Sequence, residues 1–414
     1  SYAPTGELSV GVTRETAAGT RFNVAPREMD RRALTLLGLG HLFDDISQGA
    51  LPVMLPYFIV AHNLTYSAAA GLVLAVTVSS SVLQPLLGQF SDRRSAPWLV
   101  PGGLFLAGAG VAAASIMPTY LLMALAVGIS GIGVAAFHPE AARFANYASG
   151  ARRATGMSIF SLGGNLGFAV GPLLTTALML LFGLPGGVLI AVPSTIMALV
   201  LLRRLRRLDA RPRGGSRGGP GHGAIGGDAW GPFALLTGAV IGRSILFQGM
   251  NTFLPIYWRD ALLEPVATGG LALAVLFTFG AAGTFSGGWM ADRYGKRRVV
   301  LSAMVVLAVL MWVFTSIHNP VIATALLAPI GVAMFVPMSV FVVMAQEFLP
   351  NRIGTASGVT QGLAVSVGGL AAPLLGAVGD SRGIEAVFSL LVFAPLVIIA
   401  FTFLLPSERP AAAR

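Results

Sequence analysis

The chain has 414 residues, of which 55% are hydrophobic and only 11% charged, with a formal net charge of +10 and a mean hydropathy of +0.77. Soluble domains keep about 25% of their residues charged, so this composition excludes an ordinary water-solvated fold and points to a lipid-solvated one. Cysteine is absent, which excludes disulfides, thiol catalysis and cysteine metal sites, and the five histidines are scattered without metal-ligand spacing.

Residues 1–31 are polar, lack the apolar core of a leader, and are read as a cytoplasmic N-terminal tail. Apolar runs long enough to cross about 30 Å of hydrocarbon then follow. They lie near 32–60, 67–90, 97–117, 120–145, 153–182, 184–203, 231–258, 267–290, 298–317, 319–349, 354–379 and 384–405, twelve in all. A basic, Gly-rich stretch at 204–230 separates the first six from the last six and reads as a flexible cytoplasmic linker, with a second tail at 406–414. The expected fold is therefore an all-α membrane protein with two six-helix bundles, 32–203 and 231–405.

Basic residues fix the orientation. With the N-terminus inside, 24 of the 27 fall on one face: the tails, the linker, and the turns after the second, fourth, eighth and tenth spans. Arg259 and Arg382 fall on the other face, and Arg243 lies inside the seventh span. The positive-inside rule then places both termini in the cytoplasm. The positive charge is a topology signal and not a nucleic-acid footprint. Arginine supplies all but one of the basic residues, a composition typical of a GC-rich bacterial source, hence an inner-membrane location.

The chain reads twice at an offset near 200 residues. Gly88-Gln-Phe-Ser-Asp92-Arg93 recurs as Gly288-Trp-Met-Ala-Asp292-Arg293. Gln48-Gly49 with Pro56 recurs as Gln248-Gly249 with Pro255, and Phe137-His138-Pro139-Glu140 as Phe335-Val336-Pro337-Met338. Arg153 and Pro172 match Arg352 and Pro373. Two like halves flanking a substrate path is the parallel-repeat design of secondary transporters.

On these residues the chain resembles the major facilitator superfamily. The segment Gly288 to Arg298 is similar to the signature of its second–third and eighth–ninth span turns; the first copy is degenerate, with Ser95-Ala-Pro97 replacing the basic run. In the fifth span, Gly163-Gly164-Asn165-Leu-Gly167-Phe-Ala-Val-Gly171-Pro172 resembles the glycine–proline motif of proton-driven antiporters. The segments Gly40-His41-Leu-Phe-Asp44-Asp45, Phe137 to Arg143 and Ala345-Gln346-Glu347 to Gly354 resemble the fosmidomycin-resistance family of exporters. One departure stands out. Where many drug antiporters carry an arginine in the fourth span, before Gly131-Ile-Gly133, this chain has Val127.

Ionisable groups within a span cost about 2.5–3.5 kcal/mol each on insertion scales, so each needs a reason. His41, Asp44, Asp45 and Gln48 share one stripe of the first span and are able to face a cavity together. Two adjacent carboxylates repel when both are ionised, which makes one a credible proton carrier or, alternatively, half of a structural ion pair. In the fourth span Glu140 and Arg143 lie three apart, either a static pair or an acid alternating between a proton and a guanidinium; His138 is a packing histidine or a relay. The second half has Ser244, Ile245, Val336 and Met338 at the matching sites, which concentrates proton coupling in the first half.

Arg243, Phe247 and Asn251 fall four apart in the seventh span beside Gln248. Arg243 fits two roles: holding a phosphonate or carboxylate bidentately, or neutralising Asp44 or Asp45. With Gln48, Phe137, Asn165 and Phe335 these residues form the candidate substrate set. Gly163, Gly167, Gly171 and Pro172 read as close-packing surface. By resemblance, Asp92, Arg93, Arg153, Asp292, Arg293, Glu347 and Arg352 gate the cytoplasmic side, Asp92 meeting Arg352 and Asp292 meeting Arg153, each pair worth about 0–1 kcal/mol.

No nucleophile–base pair, metal set or phosphate loop appears in the spans, so no enzyme is expected. The expected protein is a monomeric proton-coupled exporter of small molecules, fosmidomycin-like phosphonates by resemblance, using protons and no cofactor. The rivals are a proton symporter importing a sugar or organic acid, and a non-transporting membrane sensor.

Overall fold

A computed structural model describes residues 28–93, 96–150, 152–209, 227–352, 355–356 and 358–406. Most of the expected linker and both tails lie outside these residues. The described residues form helices: α1 Arg31–His62, α2 Tyr66–Arg93, α3 Leu99–Ala114, α4 Tyr120–Ala148, α5 Arg153–Phe182, α6 Ala191–Asp209, α7 Trp230–Asp260, α8 Thr268–Tyr294, α9 Lys296–Thr315, α10 Pro320–Phe335, α11 Pro337–Phe348, α12 Ala364–Arg382, α13 Ile384–Leu391 and α14 Ala394–Phe403.

Among the described residues nine helical stretches are long and apolar enough to cross a membrane. The first predicted span is not among them, because α1 interrupts its apolar surface with the run His41 to Gln48. The third is shorter than predicted, an apolar helix of 16 residues. Four predicted spans are internally broken, the twelfth at Val392–Phe393 between α13 and α14. The sixth opens with a 3₁₀ turn, Leu184–Ile190, before α6. The tenth divides at Val336, because Pro337 lacks the N–H that would continue the ladder and instead opens α11. Its repeat partner Pro139 sits inside an unbroken α4. The eleventh begins with a π-helical turn, Gly358–Leu363, ahead of α12, a distortion common at functional positions.

Helix α1 lies along α5, α4 along α2 and α3, and α6 against α3; in the second half α8 lies along α10, and α7 and α9 along α14. The two sets meet where α2 runs along α12 and α5 along α8. The repeat is visible in the backbone. Asp30 N–H donates to the Ala148 carbonyl at 2.8 Å, and Ala229 N–H to the Phe348 carbonyl at 2.7 Å, tying the first helix of each half to the end of its fourth.

Candidate functional site

The polar stripe of α1 meets a histidine of α4 against a glycine surface of α5. Asp44 is fully buried and Asp45 is 3% exposed. His41 Nε2 lies 3.3 Å from Asp45 Oδ2. His138 places Nε2 3.6 Å from Asp45 Oδ1 and Nδ1 3.4 Å from Asp44 Oδ2. The two imidazoles are 5.0 Å apart and edge-on. Each is tethered by Nδ1. His41 Nδ1–H donates to the Phe160 carbonyl at 2.9 Å while its ring stacks on Phe160, and His138 Nδ1–H donates to the Val134 carbonyl at 3.1 Å. A carbonyl only accepts, so both Nδ1 atoms carry hydrogen. Gln48 Nε2 donates to Asp45 Oδ1 at 2.5 Å. Gln48, expected to contact substrate, is thus spent on orienting an acid. Neither oxygen of Asp44 has a hydrogen-bond partner among the described residues.

The glycine run of α5 makes this approach possible. A Cβ at Gly164 would stand 2.6 Å from both Asp45 Oδ2 and His41 Cε1, and one at Gly167 2.7 Å from Asp45 Cβ. At Gly171 it would meet the Ile46 carbonyl at 2.8 Å, and Pro172 lies against Gly49. Gly163 backs onto Gly38 in the same way. Only residues without side chains let α5 lie this close to α1.

One turn along α4, Arg143 grips Glu140 with both arms of its guanidinium, Nε at 2.9 Å and Nη2 closer still. Glu140 is fully buried. The pair is complete within one helix, which separates Glu140 from the Asp44–Asp45 cluster.

Between the halves, Phe168 of α5 meets Phe247 of α7 and Phe277 of α8 at 6.5 and 5.4 Å, and Phe335 closes the group against Phe247 and Phe277. Arg243, one turn before Phe247, is half-buried and has no ion pair or hydrogen bond among the described residues. Pairing with Asp44 or Asp45 is therefore not its role in this conformation. Asn251 leaves its Oδ1 buried and unpartnered, and Gln248 donates to Thr252 at 3.4 Å. Asn165 is half-buried on α5. Phe137 does not belong with these residues. It is fully buried in the α1–α3–α4–α6 core, because its side of α4 faces Leu34, Leu104 and Leu201 and not the path between the halves.

Each expected gate pair has one member, Asp92 or Arg153, that falls outside the described side chains, as does Arg93. Arg352 pairs with Asp228 at 3.3 Å, and Glu347 with Lys296 at 2.9 Å, both within the second half. Asp292 is exposed, and Arg293 lies over Trp289 and Tyr294.

The hydrogen bonds that join the halves among the described residues lie at the opposite end, on residues with no role expected from the sequence. Asp380, at the end of α12, accepts from the Tyr66 and Ser67 N–H groups at 2.6 and 3.1 Å and from Ser67 Oγ at 2.5 Å, capping α2. Tyr66 Oη donates to Asp260 Oδ2 at 2.8 Å, Asp260 pairs with Arg259, and Arg259 Nη1 donates to the Pro56 carbonyl at 3.0 Å. The halves are closed at this end. Arg259 was visible in the sequence only as an exception to the charge asymmetry.

The Major Facilitator Superfamily profile matches residues 37–373. The "Uncharacterized MFS-type transporter YfnC" of Bacillus subtilis is 32% identical over 383 residues, 91% of this chain and 93% of that protein. The "Fosmidomycin resistance protein" of Escherichia coli is 28% identical over 406 residues, covering 95% and 98%. Among solved structures, a bacterial homolog of the human lysosomal transporter Spinster, inward-facing and occupied, superposes with a TM-score of 0.76 at 16% identity, covering 90% of this chain and 96% of that one.

Proposed function

Because the chain belongs to the Major Facilitator Superfamily, we propose that it is a proton-coupled exporter of small molecules working by alternating access in the bacterial inner membrane. Twelve spans in two bundles, both termini cytoplasmic and one chain per functional unit, complete this reading. The latched end is then periplasmic.

The observation that carries the reading is Asp44. A fully buried carboxylate beside a second one, without a hydrogen bond, leaves a charge uncompensated unless a proton is held within the cluster. His138, between Asp44 and Asp45, links that proton to the path between the halves. Glu140 is the weaker carrier, since Arg143 already neutralises it. Arg243 and the Phe168–Phe247–Phe277–Phe335 group offer a cation and an aromatic wall to an anionic small molecule. The fosmidomycin resistance relative favours phosphonates of that kind as cargo.

The test is fosmidomycin efflux from vesicles holding the reconstituted protein under an imposed pH gradient, with Asp44→Asn, Asp45→Asn and Glu140→Gln beside the wild type. Asp44→Asn or Asp45→Asn exchanges substrate without responding to the gradient, and Glu140→Gln stays gradient-driven. Three variants all fully gradient-driven would sink the assignment, and accumulation along the proton gradient would reverse the direction.

A further inference from the structure

The five histidines carry no metal spacing in sequence, yet the fold brings two of them to one carboxylate. We infer that His41 Nε2, His138 Nε2 and the Asp45 carboxylate form a binding site for one divalent transition-metal ion of the zinc and cobalt class.

Tautomer comes first. Both Nδ1–H groups are committed to backbone carbonyls, so in the neutral ring each Nε2 presents a lone pair to Asp45. Two lone pairs aimed at an anion repel it unless a proton or a metal ion lies between them. Backbone carbonyls holding the distal ring nitrogen are also what orients metal-binding histidines generally.

Distances come second. The Nε2–Oδ separations of 3.3 and 3.6 Å exceed the ordinary hydrogen-bond range, which ends near 3.2 Å. Ligands about 2.0–2.1 Å from a tetrahedral zinc ion stand roughly 3.3–3.4 Å from one another. One ligand atom of each residue lies within 4.8 Å of the others, with His41 facing Asp45 Oδ2 and His138 facing Oδ1, so the carboxylate presents an oxygen to each imidazole. The side chains keep 12% and 26% exposure, which leaves a fourth position for water or a cargo atom.

Charge is the independent observation. Asp44 is fully buried, unpartnered at both oxygens and 3.4 Å from His138 Nδ1. A divalent ion on Asp45 with Asp44 behind His138 makes the cluster neutral, taking the place of the proton the cluster holds when no metal is bound. Two imidazoles and a carboxylate favour a zinc-like ion over magnesium or calcium, which prefer all-oxygen shells.

The site stands on this geometry whether or not the exporter reading holds, and binding is measured without a gradient. Purified full-length protein without a polyhistidine tag is titrated in detergent with Co²⁺, followed by its visible absorption, and with Zn²⁺ by calorimetry. The expected result is one ion per chain with a tetrahedral Co²⁺ spectrum, displaced by Zn²⁺ and untouched by excess Mg²⁺. His41→Gln and His138→Gln each abolish the spectrum, and Asp44→Asn weakens binding about 10–100-fold as a supporting residue. The double variant His62→Ala, His318→Ala binds as the wild type does. Should a variant fail to fold, the wild type still decides, since Zn²⁺ and not Mg²⁺ must raise its melting temperature. No Co²⁺ spectrum from the wild type, or binding that survives both histidine substitutions, overturns the site.

Discussion

Asp380→Asn perturbs the latch between the halves while leaving the cluster on α1 untouched. Asp380 receives two backbone N–H groups and one hydroxyl from the first turn of α2. The substitution removes the charge–dipole attraction at a helix N-terminus, about 0.3–1 kcal/mol. It also turns one acceptor into an amide donor facing Ser67, costing a further hydrogen bond of about 0.5–1.5 kcal/mol at this exposed position. The latch exists only when this end is closed, so the whole loss of about 0.8–2.5 kcal/mol acts on the equilibrium between the two openings. At about 1.4 kcal/mol per decade, the closed fraction relative to the open one falls roughly 4- to 60-fold. The chain has no native cysteine, so spin labels at Ala61→Cys and Glu385→Cys, both exposed, report opening directly by double electron–electron resonance. The distance distribution broadens toward longer separations in the variant. If the populations stay within twofold of the parent, the hydrogen bonds around Asp380 do not hold the halves, and the reasoning fails.

Gly164→Ala places a methyl 2.6 Å from Asp45 Oδ2; with overpacking costing about 1–3 kcal/mol, gradient-driven efflux is lost while the protein remains monodisperse on size exclusion. Arg143→Ala strands a fully buried carboxylate at Glu140, which costs about 3–5 kcal/mol and shows as a lower melting temperature that Glu140→Gln, made in the same chain, largely restores. Arg243→Ala raises the KM for an anionic substrate by tenfold or more and leaves neutral cargo unaffected, as compared by efflux from the same vesicles.

The sequence made the helices legible because apolar runs of membrane length have few alternatives, and it made the α1 stripe legible because His41, Asp45 and Gln48 share one turn-by-turn face. What it hid depends on packing between helices. His138 is 97 positions from His41, and only the crossing of α1 and α4 brings the rings together. Periodicity identified Phe137 as apolar but could not say whether that face of α4 meets the core or the path between the halves. The latch was hidden for a different reason: Tyr66, Asp260 and Asp380 stand at helix ends, where charged and polar residues are expected without any contact.

The repeat explains why chemistry sits on one side only. Gly167 of α5 presses on Asp45, where a Cβ would come within 2.7 Å of the Asp45 Cβ. About 200 residues later Gly368 of α12 presses on Ser244 in the same manner, its Cβ 2.5 Å from Ser244 Oγ and 2.7 Å from the Ser244 carbonyl. The groove that admits a close neighbour is therefore present in both halves, and the acid is present in one. A groove built for close packing needs glycine on one helix and any compact residue opposite, so Ser244 and Ile245 satisfy it as well as Asp44 and Asp45 do. The carboxylates cost more to bury than the serine does, and packing gains nothing from them. Their presence in α1 alone has to be repaid by what they bind.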